Sequence, residues 1–307
     1  MAAPSVNVAV IGAGTIGLSF AALHLAKNPH CNVTIYDTRS DLSKYVDDKL
    51  CEYLVDADIE ECKSRMQIAD SLAGAVETAN IVQEQGPENA DFKRTTWAQT
   101  EQLAPQDALF WSSTSGIPAS EQSKDMENQS RLVVVHPYNP PHIMPLLEVV
   151  PSLATSQENI DRTLEYWRSL GRIPVLIRKE CTGFVANRLA FALFREACSL
   201  VAQGVVGVED LDSVVEASMG PRWTVAGPFK SYHAGGGEGG LTSFMNKIGG
   251  TVQECWNASD KDIEAGNIGV GKPWQEDICR QTDEAYGVVD TAQRDKKTKA
   301  VLKAASE

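Results

Sequence analysis

The chain has 307 residues, 43% hydrophobic and 22% charged, which is typical of a globular protein with room for two domains. Its formal net charge of −13 argues against binding to nucleic acid or to an anionic membrane, because both attract basic surfaces. The seven cysteines show no metal-ligand spacing, which predicts free thiols and no metal site. No apolar run reaches the length of a membrane span, and the first strand starts near Ser5, too early for a leader. The sequence therefore predicts a cytoplasmic protein.

The first predicted element is a buried strand, residues 6–11, which leads through a glycine-rich turn into a helix. Gly12 would permit the tight turn, Gly14 would let a pyrophosphate approach the backbone, and Gly17 would let the helix pack close to the strand. The helix would direct free N–H groups and its positive dipole end at the phosphates. The pattern therefore predicts a dinucleotide cofactor bound at this turn by Gly12, Gly14, Thr15, Ile16 and Gly17.

The next predicted strand, residues 33–36, ends at Asp37, twenty residues after Gly17. A carboxylate at this point of a dinucleotide-binding fold accepts hydrogen bonds from the ribose hydroxyls and repels a 2′-phosphate. The sequence therefore favours NAD over NADP as the cofactor. Arg39 lies close enough in sequence to contact the cofactor and to weaken that preference.

Strand and helix patterns alternate through the rest of the first 180 residues. Repeated strand–helix units are typical of a mostly parallel sheet with helices on both faces, and short connections near the end of this region allow an antiparallel strand. The segment 137–145 contains four prolines and cannot be regular structure. The predicted strands are 66–69, 81–84, 108–111, 132–135, 146–150 and 174–177, and the predicted helices are 41–64, 71–79, 88–103 and 156–170.

The pattern changes after about residue 179. A helix is predicted over 183–203, and its apolar residues cover most of its circumference, so it should be buried on several sides. Further helices are predicted over 209–219 and over the last thirty residues. We therefore expect an α/β protein: a Rossmann-type, mostly parallel sheet domain over residues 1–179, followed by an all-helical domain over 180–307 that closes the substrate cleft and forms a homodimer.

A cofactor fold alone does not name a reaction, so the reacting groups must be sought separately. His136 ends a buried strand, and Glu148 follows twelve residues later within the apolar sequence Leu-Leu-Glu-Val-Val. A buried carboxylate needs a partner, and the proline-rich turn between them can bring the two strands together. A carboxylate that fixes one imidazole nitrogen leaves the other free as a base for alcohol oxidation. Two alternatives stay open: a structural histidine at a strand end, and a glutamate that faces outward from an edge strand.

Three motifs occur in a fixed order along the chain: Ser-Thr-Ser at 113–115, His-Pro-Tyr-Asn-Pro at 136–140 with Glu148, and Thr-Gly-Phe-Val-Ala-Asn-Arg at 182–188. Together they resemble the core motifs of the 3-hydroxyacyl-CoA dehydrogenases, and the resemblance covers most of the chain.

The resemblance implies roles for individual side chains. His136 would be the general base with Glu148 as its partner, and Ser115 and Asn187 would hold the substrate oxygen. Taken singly, several of these residues could instead be structural, for example Ser115 in a turn or Asn187 on a solvated helix face. The family's cofactor contacts correspond here to Glu88, Lys93 and Asn139.

Within this family, the sequence favours a free acid over an acyl-CoA thioester. Segments 136–141 and 145–151 resemble the lambda-crystallin/L-gulonate 3-dehydrogenase branch, and segments 220–228 and 235–240 resemble the carnitine 3-dehydrogenases. Both relatives oxidise a free 3-hydroxy carboxylate. A guanidinium binds a small carboxylate bidentately, whereas a thioester has no charge to pair. Predicted substrate contacts therefore include Arg222 and, as weaker candidates, Arg188 and Lys230.

The sequence thus predicts an NAD-dependent dehydrogenase that oxidises the 3-hydroxyl of a small free acid, L-gulonate-like or carnitine-like, to the 3-keto acid. One alternative is a 3-hydroxyacyl-CoA dehydrogenase of fatty acid metabolism. Another is a non-enzymatic protein, either crystallin-like or a binding protein that senses NAD. The expected partners are a small anionic hydroxy acid and a second copy of the chain, with neither nucleic acid nor membrane.

Overall fold

An eight-stranded sheet organises the first part of the chain in a computed structural model that describes residues 5–54 and 57–306. The strands are β1 (Val6–Ile11), β2 (Cys31–Tyr36), β3 (Met66–Ile68), β4 (Ile81–Glu84), β5 (Leu109–Ser112), β6 (Leu132–Pro137), β7 (Leu146–Pro151) and β8 (Ile173–Leu176). Their order across the sheet is β3-β2-β1-β4-β5-β6-β7-β8, and β6–β7 is the antiparallel pair in an otherwise parallel arrangement. The predicted Rossmann-type sheet is confirmed.

Helices connect most of the strands. One prediction here is wrong, because the residues 41–64 do not form one helix. Asp58 begins a new helix, since its side chain accepts a hydrogen bond from Glu61 N–H at 3.1 Å, and residues 55 and 56 lie outside the described residues. The helices of this region are α1 (Thr15–Lys27), α2 (Leu42–Tyr53), α3 (Ile59–Ser64), α4 (Leu72–Val76), α5 (Ala90–Leu103), α6 (Ala119–Gln122) and α7 (Gln157–Ser169).

The sheet is buried on both faces. Val135 belongs to a core that contains Trp167, whereas its neighbour Val134 belongs to a second core with Phe110 and Trp97, whose rings are 5.3 Å apart. Successive strand residues point to opposite faces, so burial of both faces requires continuous apolar strands. With both faces covered, a ligand site is expected beyond the carboxyl ends of the parallel strands.

The chain divides into two compact units, Met1–Arg188 and Leu189–Glu307. The second unit is helical, and its buried core is small, with Cys198, Val201 and Ile278 at its centre. No helix within the described ranges is both long and apolar enough for a membrane crossing. The helices that follow β8 are α8 (Ala186–Ala202), whose first three residues belong to the first unit, α9 (Val208–Ala217), α10 (Met219–Val225), α11 (Pro228–Gly235), α12 (Gly240–Glu264), α13 (Trp274–Tyr286) and α14 (Thr291–Ser306).

Helix α8 differs from its prediction in two ways. It begins at Ala186 rather than at Gly183, because Gly183 and Phe184 have left-handed φ values of 73° and 50°. It is also not buried on several sides within one chain, since Leu189 and Phe191 are each 63% exposed. An exposed apolar helix face of this kind is typical of a protein–protein contact.

Candidate functional site

The glycine-rich turn joins β1 to α1 and leaves open space beside the backbone. A Cβ at Gly17 would lie 1.9 Å from the carbonyl oxygen of Gly12, so a side chain there is excluded. Gly12 has a φ of 98°, which side chains rarely tolerate. A Cβ at Gly14 would meet no described heavy atom within 4 Å, and no side chain caps the helix that follows. The free N–H groups and the open space fit a pyrophosphate.

Asp37 lies beside this turn, directly after β2. Its Oδ2 accepts a hydrogen bond from Ala13 N–H at 2.7 Å, and its Oδ1 accepts one from Arg39 N–H at 3.0 Å. These contacts fix the Asp37 carboxylate beside the glycine-rich turn. The guanidinium of Arg39 pairs with Asp41, with Nε 2.7 Å from Oδ1, and lies 3.5 Å from the ring centre of Tyr45. The turn and the acid together fit a dinucleotide.

His136 and Glu148 face each other across the antiparallel pair β6–β7. Nδ1 of His136 lies 2.8 Å from Oε2 of Glu148, and both side chains are buried, so the predicted contact is confirmed. If Nδ1 carries the proton of the neutral ring, Nε2 is an acceptor, and it has no hydrogen-bond partner within the described part of the chain. The imidazole can therefore act as a base through Nε2.

Glu148 also holds the start of α8. Its Oε1 accepts hydrogen bonds from the N–H groups of Val185 and Ala186, at 2.8 and 3.0 Å. Burial acts to raise the pKa of Glu148, but the hydrogen bonds from His136, Ala186 and Val185 outweigh it and lower that pKa. The carboxylate is therefore ionised at neutral pH, so it can accept a hydrogen bond from His136 Nδ1.

The bend before α8 contributes a residue that the sequence analysis did not single out. Phe184 is fully buried, and its ring centre lies 5.3 Å from that of His136. Its left-handed backbone turns the next two N–H groups toward Glu148. Asn187 follows in the first turn of α8, with Nδ2 3.5 Å from the carbonyl oxygen of Ser115. Two of the predicted substrate contacts therefore lie next to each other.

A cavity of about 170 Å³ lies at the carboxyl ends of the central strands. Its wall also includes Gln85, Gly86, Ser113 and Pro137, which the sequence analysis did not assign to the site. Ser113 belongs to the Ser-Thr-Ser motif, so a signal for it was present. The predicted residues that line the cavity are Ile16, Glu88, Lys93, Ser115, His136 and Asn139.

Glu88 fixes the loop that carries Ser115. One of its carboxylate oxygens, Oε1, accepts hydrogen bonds from Ser115 N–H at 3.1 Å and from Gly116 N–H at 3.0 Å. The hydroxyl groups of Thr114 and Ser115 donate to the same oxygen, at 2.5 and 3.3 Å. The carboxylate thus orders the Ser-Thr-Ser loop at the edge of the cavity.

The three residues predicted to bind the substrate carboxylate are exposed and positively charged. Arg188 closes the first unit, whereas Arg222 lies in α10 and Lys230 in α11 of the second unit. None of the three forms an ion pair with any residue in the described ranges. Within the same ranges, no group of three His, Cys, Asp or Glu residues is arranged to hold a metal ion.

Residues 7–181 match the NAD binding domain of 3-hydroxyacyl-CoA dehydrogenase, and residues 183–273 match the C-terminal domain of the same enzyme. A protein named 3-hydroxyacyl-CoA dehydrogenase from Gibberella moniliformis is 35% identical, over 80% of this chain and 78% of the relative. A protein named L-carnitine dehydrogenase from Streptomyces coelicolor is 32% identical, over 97% of this chain and 94% of the relative.

Among solved structures, 5-formyl-3-hydroxy-2-methylpyridine 4-carboxylic acid 5-dehydrogenase is similar over 98% of this chain and 99% of its own. The TM-score is 0.77 and the sequence identity is 28%. That enzyme is described as an NAD⁺-dependent dismutase.

Proposed function

The chain belongs to the 3-hydroxyacyl-CoA dehydrogenase family of NAD-dependent dehydrogenases, and we propose that it oxidises the 3-hydroxyl of a small free 3-hydroxy acid. The observation that carries this proposal is the His136–Glu148 pair beside a cavity that also reaches the glycine-rich turn through Ile16. A base and a cofactor-binding turn that share one cavity are what alcohol oxidation requires.

In the proposed reaction, NAD supplies the hydride acceptor when it is bound. Nε2 of His136 takes the proton of the substrate hydroxyl, and the ionised Glu148 stabilises the imidazolium that forms. Asn187 holds the reacting oxygen through a hydrogen bond, and Ser115 does so once its hydroxyl leaves Glu88. The distance of 3.5 Å between Asn187 Nδ2 and the carbonyl oxygen of Ser115 supports the action of both residues on the substrate oxygen.

The geometry around the glycine-rich turn supports the proposed cofactor contacts. The backbone of residues 12–17 receives the pyrophosphate, and Asp37 receives the ribose hydroxyls of NAD. Glu88, Lys93 and Asn139 complete the nicotinamide end of the site, which their position on the cavity wall supports. Arg39 is a peripheral contact that must first leave Asp41.

Two observations favour a free acid of the carnitine or gulonate type. A relative named L-carnitine dehydrogenase matches over nearly the whole chain, and Arg222 is a cation without an ion-pair partner among the described residues. We propose that Arg222 binds the substrate carboxylate, with Arg188 and Lys230 as secondary contacts. The relative named 3-hydroxyacyl-CoA dehydrogenase supports a CoA thioester as a second candidate.

A substrate panel tests these proposals. NADH formation is measured with L-carnitine, L-gulonate, 3-hydroxybutyrate and 3-hydroxybutyryl-CoA, using the wild type and His136→Gln. The proposal is supported if the wild type turns over a free acid faster than the thioester and His136→Gln turns over neither. A wild type that turns over the thioester faster than any free acid favours the second candidate. NADH binding without turnover of any compound would favour a non-enzymatic NAD-binding protein.

We further propose a cytoplasmic homodimer that associates through the helical domain, with the domain boundary near residue 179. The support is the exposed apolar face of α8, where Leu189, Phe191 and Phe194 are each at least 60% exposed, and the absence of disulfides among the seven described cysteines. Sedimentation equilibrium of the wild type and Phe191→Glu tests this. A monomeric wild type would contradict it.

A further inference from the structure

A fully buried ion pair lies beside the cavity. Glu84 ends β4 and Lys93 lies in α5, and their side chains are 0% and 1% exposed. Nζ of Lys93 is 2.8 Å from each carboxylate oxygen of Glu84. The same carboxylate accepts hydrogen bonds from Gly86 N–H at 2.5 Å and from Ser112 Oγ at 3.1 Å. Each carboxylate oxygen of Glu84 therefore accepts two hydrogen bonds.

Stability alone does not explain such a pair. Removing two charges from water costs several kcal/mol, and the attraction between them often does no more than offset that cost. An apolar pair of similar volume would serve a core equally well. Lys93, however, also lines the cavity that contains His136 and Asn139. The pair is therefore placed where a ligand can use it.

The hydrogen-bond count of the ammonium group shows what the ligand would meet. An ammonium has three donors. Two of them go to Glu84, and the third has no partner among the residues that the structure describes. The positive charge is already compensated by Glu84. Because Lys93 lines the cavity, this remaining N–H donor can serve a ligand there, with little net charge behind it.

We propose that Glu84 is a positioning residue for cofactor binding, and that it holds Lys93 as a charge-compensated donor for an uncharged oxygen. The oxygen is a hydroxyl or amide carbonyl at the nicotinamide end of NAD, and the proposal rests on NAD binding in this cavity. Compensation by Glu84 also prevents Lys93 from capturing the carboxylate of the substrate or a small anion. The substrate carboxylate is consequently bound by a different cation.

Binding measurements on Glu84→Gln, Lys93→Met and the double variant test this proposal. The probe is NADH, titrated by its fluorescence, in buffers without chloride and with about 200 mM chloride. K93M should weaken NADH binding about 10-fold, because it removes one hydrogen-bond donor to the cofactor, and its chloride response should not exceed that of the wild type. E84Q exposes an uncompensated ammonium to the cavity, so its NADH affinity should fall several-fold more in chloride than that of the wild type.

The double variant decides whether Glu84 acts through Lys93. If it does, E84Q/K93M should bind NADH as K93M does, in both buffers. The matched control is K49M/E52Q, which removes an exposed pair with the same 2.8 Å distance and should change neither affinity nor chloride response. If E84Q does not fold, Glu84→Asp, which retracts the carboxylate and keeps the charge, should weaken NADH binding in a way that K93M abolishes.

The outcomes separate this inference from the proposed function. Wild-type protein that fails to bind NADH would overturn both. Wild-type protein that binds NADH, with E84Q unchanged in affinity and in chloride response, would overturn the role of Glu84 alone. Losses in E84Q and K93M that multiply in the double variant would mean that Glu84 acts independently of Lys93.

Discussion

The Glu148→Gln variant tests the proposed base most directly, because Glu148 serves two partners at once. One carboxylate oxygen binds Nδ1 of His136, and the other accepts the N–H groups of Val185 and Ala186. A glutamine has one acceptor oxygen and one donor amide, so it cannot satisfy both sides. If the amide faces His136, Nδ1 must accept, and the ring proton moves to Nε2. If the oxygen faces His136, the amide opposes two backbone donors.

Both orientations have costs that the contacts allow us to bound. A proton on Nε2 removes the base from the neutral ring, and loss of a general base costs about 10²–10⁴ in rate. Opposed donors leave two partly buried N–H groups unsatisfied, at about 1 kcal/mol each. The first orientation keeps the hydrogen bonds from Val185 and Ala186 and should therefore prevail, so we expect kcat for hydroxy-acid oxidation to fall at least about 100-fold. The second orientation would instead lower the free energy of unfolding by up to about 2 kcal/mol.

The variant should also change how stability depends on pH. Burial acts to raise the pKa of Glu148, but its hydrogen bonds outweigh burial, so the pKa in the folded state lies below the ordinary value of 4.5. A carboxyl whose pKa is lowered on folding stabilises the protein fully above its unfolded pKa, and that contribution is lost as the pH falls through the folded pKa. Below pH 4.5, the wild type should therefore lose stability more steeply than E148Q.

Steady-state NADH formation and denaturant unfolding measure the two effects on the same preparations. Glu101→Gln is a matched control, since Glu101 also accepts two backbone N–H groups, from Glu127 and Asn128 at 2.7 Å each. Among the residues that the structure describes, Glu101 has no hydrogen bond to a histidine. E101Q should lose stability and keep kcat. A kcat for E148Q equal to that of the wild type, or equal losses of kcat in both variants, would refute the tautomer argument.

Three further predictions follow from the proposed function. His136→Gln should abolish turnover with NADH affinity nearly unchanged, and comparable kcat values would remove His136 as the base. Asp37→Ala should raise kcat/KM with NADP relative to NAD, because it removes a carboxylate beside the glycine-rich turn, and an unchanged ratio would argue against a ribose contact. Arg222→Met should raise KM about 10-fold or more for a free hydroxy acid but little for its methyl ester, and equal effects would exclude a carboxylate contact.

The sequence predicted the His136–Glu148 contact on general grounds but not its full surroundings. An apolar strand with one carboxylate requires a partner, and the proline-rich turn limits how far the chain can travel before returning. The register that sets His136 opposite Glu148 depends on side-chain packing across the pair. The second partner of Glu148 is the start of α8, and this contact depends on a left-handed φ at Phe184. A phenylalanine rarely adopts such a φ, so the sequence does not predict it.

The Glu84–Lys93 pair was missed for a related reason. Lys93 entered the sequence analysis through family resemblance, and a lysine in a helix that also carries Arg94 is ordinarily solvated. Glu84 ends a strand whose four residues are all buried, so neither its strand position nor its neighbours identify a partner. Burial of a lysine becomes visible only when the helix is docked against the sheet. An ion pair that depends on how a helix packs against the sheet is therefore not predictable from local sequence pattern.

The distribution of compensated cations bears on the choice between a free acid and a thioester. The net charge of −13 opposes an anionic ligand at long range, but salt at physiological concentration screens that field beyond about 8 Å. A local cation therefore decides whether a carboxylate binds. Lys93 is neutralised by Glu84 and Arg39 by Asp41, so neither is available without breaking an ion pair. Of the cations assigned to ligand binding, this leaves Arg222, Arg188 and Lys230 to pair with a free carboxylate, a charge that the thioester group itself lacks.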